Sequence, residues 1–331
     1  MNLRKLLSRT FAVSASAAVM LGVTGCAKTG GGTARDITVV CLSDSSDFWE
    51  NMKKGAADGG EEMLCNITFA VPDDPSPEAQ AALIQEAVDK KTGAIIVAPS
   101  DRDQLTDQLR AANDAGIPVV AVGSEVSYSG ERTAVVGPQN GSAGAIAGRR
   151  AEEIVPEGGR FAVIGSTESD TDCQERAAGF IRYLESSSKA SFTFSASKYC
   201  DGDADKAKEL ALELMEQDPD LTLILGASDN AAGGICRAVK EKGLTSKISV
   251  IGFGASDEEI GFVREGLLAG IMVQNPYNIG YLGVRNCMKL LSGQTVPQFI
   301  DTGFNFVDKS NINEDYIKLL LDPAGEGGAE K

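Results

Sequence analysis

From residue 36 onward the chain repeats one pattern: a short, nearly continuous apolar run rich in valine and isoleucine, followed by a longer segment with helically spaced apolar positions. The runs predict strands at 37–42, 66–71, 94–98, 118–122 and 133–136, then at 161–165, 191–195, 221–226, 248–252 and 271–274. Between them the spacing predicts helices over 48–64, 77–91, 102–115, 141–155, 175–186, 204–217, 231–242, 258–266 and 278–291. Ser76 before Pro77 and Asp101 before Arg102 read as N-terminal caps. Strands without polar alternation belong to sheets covered on both faces, as in parallel α/β folds. At 331 residues the chain exceeds the ~250–300 at which one core stops growing, so the series implies two doubly wound domains.

In such sheets ligands bind beyond the carboxyl ends of the strands. The segments that fall there are 43–49, 99–101, 123–125, 137–140, 166–176, 227–230 and 253–256. Many of their residues are small or polar, and Phe48 and Trp49 stand side by side, which is the composition of a cleft lining more than of a core.

Composition narrows the chemistry. The chain has no histidine, which excludes Ser-His-Asp and Cys-His nucleophile pairs, histidine metal sites and histidine-held haem. Gly252-Phe253-Gly254 follows a strand like the start of a dinucleotide fingerprint, but Asp257 takes the third glycine position, and no GxxxxGK[ST] occurs. No CxxC pair supports a zinc or thioredoxin-type site. Neither an enzyme nor a cofactor nor a metal is therefore expected. With Lys+Arg 31 against Asp+Glu 47 the formal net charge is −16, and the basic residues do not cluster, so a nucleic-acid partner is not expected either.

The N-terminus sets the compartment. Arg4, Lys5 and Arg9 precede an uncharged apolar and small-residue run over 11–23, and residues 1–25 read as a signal peptide. Val23-Thr24-Gly25-Cys26 resembles the bacterial lipobox, which implies that Cys26 becomes the lipidated N-terminus and anchors the protein to the membrane. The run is shorter than the roughly 20 residues of a spanning helix. Residues 26–35, with three glycines at 30–32, form a flexible tether whose reach of about 17 Å would hold the body near the membrane. The tail 323–331, rich in glycine and acid, is expected to lack order. Of the remaining cysteines, 41, 65, 173, 200, 236 and 287, most read as buried thiols, and a Cys173–Cys200 bridge stays open.

Several motifs together resemble the type I periplasmic-type solute-binding proteins of bacterial ABC transporters, in their ribose-like sugar-binding branch. They are Ser46-Asp47-Phe48-Trp49 followed by Lys54-Gly55-Ala56; Ala115-Gly116-Ile117-Pro118-Val119-Val120; Gln174-Glu175-Arg176-Ala177-Ala178-Gly179-Phe180; Val250-Ile251-Gly252-Phe253; and Gln274-Asn275-Pro276-Tyr277 with Ile279-Gly280. The resemblance implies two α/β lobes joined by three chain crossings, near 138–140, 274–276 and 303–306. Lobe 1 would be 36–138 with 275–302, and lobe 2 would be 139–274 with 303–322. Proline suits such crossings at Gly137-Pro138 and Asn275-Pro276, because it stops the preceding element.

The resemblance also implies a site. Phe48 and Trp49 match an aromatic pair that lies on the apolar faces of a sugar; the competing reading is that they pack the first helix. Arg176 matches an arginine that grips ligand oxygens with its fork, against a structural salt bridge. Asn140 and Gln274 match amide ligands at the crossings, against hinge capping. Ser46 and Ser228 fall where the family often carries asparagine, and Phe253 falls just past a strand, in a segment that lines the cleft. The chain departs from the ribose branch at two carboxylates. Gly123-Ser124 stands in place of Asp-Arg, and Gly254 in place of aspartate; Glu125 either substitutes for one or is an ordinary acidic loop residue. The implied function is a monomeric, lipid-anchored receptor that closes on a small polar ligand, a sugar or related polyol, and presents it to an ABC permease. The alternative is a sensor signalling to a membrane kinase or chemoreceptor.

Overall fold

The computed structural model describes residues 35–43, 47–74, 76–187 and 189–322. The signal segment, Cys26 with most of its tether, Ser46 and the tail 323–331 lie outside the described residues. In chain order the first elements are β1 (Asp36–Val40), α1 (Asp47–Met63), β2 (Asn66–Ala70), α2 (Pro77–Asp89), β3 (Ala94–Val97), α3 (Thr106–Asp114), β4 (Val119–Val122) and β5 (Thr133–Gly137). Next come α4 (Asn140–Ile154), β6 (Gly158–Gly165), α5 (Thr171–Glu185), β7 (Ser191–Tyr199), α6 (Ala204–Gln217), β8 (Leu221–Gly226), α7 (Asp229–Glu241), β9 (Ser249–Phe253), α8 (Asp257–Glu265) and β10 (Gly270–Val273). The chain closes with α9 (Pro276–Leu291), β11 (Phe299–Asp301), β12 (Asn305–Val307) and α10 (Asp315–Leu321).

The strands form two six-stranded sheets, ordered β11-β5-β4-β3-β1-β2 and β12-β10-β9-β8-β6-β7. Burial follows position in the sheet. Every residue of the interior strands β3, β4 and β10 is buried, whereas the edge strands β2 and β7 are half-exposed. Successive residues of each strand feed opposite faces. Val39 and Ile96 pack with α1 and α9, while Val40 and Ile95 pack with α2 and α3. In the second sheet Ile164 and Val250 face α6, α7 and α8, and Phe161 and Ile251 face α4 and α5. Both faces are thus covered, which is why these strands carry no polar alternation.

The chain passes between the sheets three times, after β5, after β10 and between β11 and β12. Neither β11 nor β12 is legible in the sequence, because each has three residues and its hydrophobic content is short. β11 pairs parallel with β5, and β12 pairs antiparallel with β10. The reversal follows from the crossing: a strand that ends at the junction in one sheet must be continued by one that starts there in the other. The short α10 was likewise not expected; it buries Ile317 and Leu320 in the core of the second sheet.

Several expected boundaries shift. Ser76 caps α2 as expected, accepting from the Ala79 N–H at 3.3 Å. Asp101 caps no helix: its carboxylate accepts from the N–H groups of Asp103 and Gln104, and α3 begins only at Thr106. Helix α5 starts four residues earlier than expected, at Thr171, because Asp170 caps it by accepting from the Cys173 N–H at 3.0 Å. All six described cysteines are free thiols, so the Cys173–Cys200 bridge does not form. Cys65 is half-buried and the other five are buried, and Cys173 donates to the Ala227 carbonyl at 3.2 Å.

Each sheet is backed by one especially close helix pair. A Cβ on Gly55 of α1 would overlap the Tyr277 carbonyl of α9, and one on Gly280 of α9 would overlap the Met52 carbonyl of α1. The second pair repeats the device, with Gly144 of α4 against Arg176 and Gly179 of α5 against Gly141. Gly280→Ala should therefore lower stability by about 1–3 kcal/mol in thermal or urea unfolding. Gly261→Ala in α8, where nothing lies within 4 Å of the added carbon, should raise it by up to about 1 kcal/mol. Equal effects at the two sites would contradict the packing argument.

Candidate functional site

The carboxyl ends of the strands of both sheets converge on a cleft with two cavities. The first, of about 360 Å³, is lined from the first-sheet side by Leu42, residues 99–102 and residues 123–125, and from the other side by Asn140, residues 169–172 and Glu175. The second, of about 420 Å³, is lined by Phe48, Asn51 and Pro276 on one side, and by Arg176, Asp229, residues 253–257, Met272 and Phe304 on the other, with Gln274 at the crossing and Leu320 and Leu321 from α10. Both volumes suit a small-molecule ligand.

Arg176 organises the junction of the two cavities. It lies on the buried stripe of α5 with Cys173, Gly179 and Phe180, which fixes its side chain against the sheet. Its Nε donates to Asn140 Oδ1 at 2.9 Å and its Nη1 to the Ala227 carbonyl at 3.1 Å. The guanidinium lies over the rings of Phe253, at 5.0 Å, and Phe304, at 5.7 Å. Both Arg176 and Asn140 are buried, Arg176 facing the second cavity and Asn140 the first. Of the two readings of Arg176, no salt bridge to a carboxylate exists among the described residues; its partners are an amide, a carbonyl and two aromatic faces.

The other expected residues are distributed as follows. Phe48, Phe253 and Gln274 line the second cavity with Arg176, and Ser124, Glu125 and Asn140 line the first. Trp49 lines neither; it packs half-buried against the first-sheet core, with its ring edge-on to Phe48 at 5.0 Å. The Ser228 hydroxyl caps α7, accepting from the Ala231 N–H at 3.4 Å. Asn140 opens α4 but spends its amide oxygen on Arg176 rather than on a cap. Glu125 holds Arg102 at 2.8 Å, and Arg102 in turn lies 4.0 Å from Glu175 across the cleft. A second link across the cleft is the Ser124 hydroxyl, which donates to Asp172 Oδ2 at 3.3 Å.

Sequence reasoning did not single out Asp172, Asp229 or Phe304. The first two fall inside the post-strand segments 166–176 and 227–230, so their place was legible but the choice among their polar neighbours was not. Burial raises the pKa of the Asp172 carboxyl, and the nearby Arg176 charge partly opposes it. Burial raises Asp229 likewise; its side chain is ringed by protein yet open to the cavity. Behind it lies Glu259, fully buried, whose Oε2 accepts from the Ser256 N–H and hydroxyl at 3.0 Å each while Oε1 has no partner. Burial first, then the Asp229 charge, pushes the Glu259 carboxyl well above the usual range.

The fold and this cleft define a hinged, two-lobed solute-binding protein. A family profile described as a periplasmic binding protein domain matches residues 37–295, and the chain belongs to that family. It is 26% identical over 297 residues to the ribose import binding protein of Escherichia coli, across 89% of this chain and 95% of the relative. It is also 26% identical over 290 residues to the D-allose-binding periplasmic protein of the same organism, across 85% of this chain and 93% of the relative. An ABC transporter solute-binding protein from Agrobacterium vitis with bound D-fucose matches at a TM-score of 0.73 and 32% identity, covering 86% of this chain and 99% of that one. The protein is a binding component of transport, not an enzyme, and its place is extracytoplasmic. Among the described residues no helix is long and apolar enough to cross a membrane.

Because folded Glu259 keeps its proton where the unfolded chain releases it, its contribution to stability is complete below the ordinary glutamate value of ~4.3 and is lost as pH rises through the raised folded value. Glu259→Gln should therefore raise the melting temperature at neutral pH and flatten its decline from weakly acidic pH upward. An unchanged pH slope in the variant would contradict this.

Proposed function

We propose that this protein is a lipid-anchored, monomeric receptor that captures a small sugar or polyol between lobe 1 (36–138 with 275–302) and lobe 2 (139–274 with 303–322) and delivers it to an ABC permease. The observation that carries the reading is the cleft itself. Arg176, Phe253 and Gln274 meet Phe48 across a cavity of ligand size, and the walls combine aromatic faces with hydrogen-bonding groups. A sugar ring needs both, since its C–H faces are apolar and its rim is polar. Relatives named for ribose and D-allose, and solved neighbours holding D-fucose and D-tagatose, support the carbohydrate class. Closure follows from differential affinity: only the closed form touches the ligand from both lobes, so the ligand shifts the equilibrium toward it.

Titration calorimetry against pentoses, hexoses, inositols, amino acids and nucleosides should find a carbohydrate with a micromolar dissociation constant, about −8 kcal/mol. Silence from every carbohydrate while another class binds would reject the sugar reading.

The lipobox-like tetrapeptide that ends in Cys26 supports the anchor. Cell fractionation should find the native chain in the membrane fraction and the Cys26→Ser variant released from it. Equal distribution of the two would count against lipidation.

A further inference from the structure

Two carboxylates that line the cleft have hydrogen-bonding capacity the protein leaves unused. Asp172, in the first turn of α5, faces the first cavity, and its side-chain donor is the Ser124 hydroxyl of the opposite lobe at 3.3 Å, longer than the usual O–H···O range of about 2.5–3.0 Å. Asp229, which opens α7, faces the second cavity; its own backbone N–H and that of Ala255 lie near its carboxylate, and no side-chain donor bonds to it among the described residues. Both sense the Arg176 charge, yet neither forms an ion pair with it among the described residues. A carboxylate offers about four acceptor positions, so each has some left for a donor in the cavity. Of the other acids of the same walls, Asp101 is engaged by two N–H groups, Asp170 by the α5 cap and Glu125 by Arg102, while Glu175 lies 4.0 Å from Arg102 and Asp257, in the first turn of α8, is exposed.

Their placement coincides with side chains missing elsewhere. Residues 123 and 124 are glycine and serine, and residue 254 is glycine. Gly254 has φ 153°, and a Cβ there would overlap Asp229 Oδ1, so the Asp229 carboxylate occupies the room a side chain at 254 would take. The Ser124 hydroxyl, on the facing lobe, is directed at Asp172.

We propose that Asp172 and Asp229 are the specificity-determining acceptors of this cleft, taking two separate hydroxyl donors of a neutral polyhydroxy ligand on either side of the Arg176–Asn140 pair. The inference rests on the carbohydrate reading above and says which ligand groups the protein selects. A sugar lacking either hydroxyl leaves one carboxylate without its donor.

The test is calorimetry on the purified protein with D-ribose, D-allose, D-fucose, D-tagatose and the other pentoses, hexoses and inositols of the panel above, followed by the monodeoxy analogues of the tightest binder. The wild type should discriminate against at least two analogues by about tenfold or more. Asp172→Asn and Asp229→Asn should each weaken the parent sugar by about tenfold to a hundredfold. Each variant should also lose discrimination against one analogue only, a different one in the two cases, with melting temperatures without sugar confirming the fold. A wild type that tolerates all the deoxy analogues overturns the proposal even if a variant fails to fold. So does a uniform weakening of parent and analogues, which marks a structural role. If no pentose, hexose or inositol of the panel binds the wild type, the proposal falls with the carbohydrate reading; if a sugar binds both variants as it binds the wild type, the proposal alone falls.

Discussion

The guanidinium of Arg176 is the group on which the cleft depends. It joins the first residue of α4, just past one chain crossing, to the end of β8, and it rests on Phe253 at the end of β9 and on Phe304 between β11 and β12. Four separate stretches of chain thus meet at one cation, and two of them are crossings. A planar, permanently charged fork with donors in fixed directions can do this, whereas an ammonium presents a point charge and no edge geometry. The charge remains close enough to bias Asp172 and Asp229 without being neutralised by either. The cleft therefore keeps a positive centre flanked by two acceptors, an arrangement suited to orienting a polar, uncharged ligand.

Rigidity behind this centre comes from the helix pairs. In both lobes glycines let two helices approach until one backbone touches the other, α1 with α9 and α4 with α5. In the second pair the carbonyl that excludes a side chain at Gly144 belongs to Arg176 itself. The packing that fixes the backbone of the arginine and the hydrogen bonds that fix its fork are therefore parts of one structure. Closure can then proceed by movement at the three crossings, with each lobe's share of the site held in place.

Much of this was legible in the residues. Continuous apolar runs such as Ala94–Val97 and Val119–Val122 read as strands because a doubly covered sheet needs nothing else. The phenylalanine at 48, the arginine at 176 and the amides at 140 and 274 stood at strand ends or crossings where a cleft had to be. The three-residue strands β11 and β12 and the short α10 were not legible, since periodicity carries no information over so few residues. The start of α5 was missed because its cap, Asp170, lies within a run of polar residues where any of several could serve.

By itself the sequence determined the alternation of strands and helices, the division into two lobes and the absence of histidine chemistry, since each depends on residue type and local spacing. Only the tertiary structure decided how the polar groups at the strand ends are shared out. It turned Ser228 to a helix cap, Glu125 to Arg102 and Trp49 toward the first-sheet core, and it left Asp172 and Asp229 facing the cavities. The physical reason is that a polar side chain takes the nearest partner of suitable geometry, and nearness across two lobes is set by packing between segments far apart in the chain.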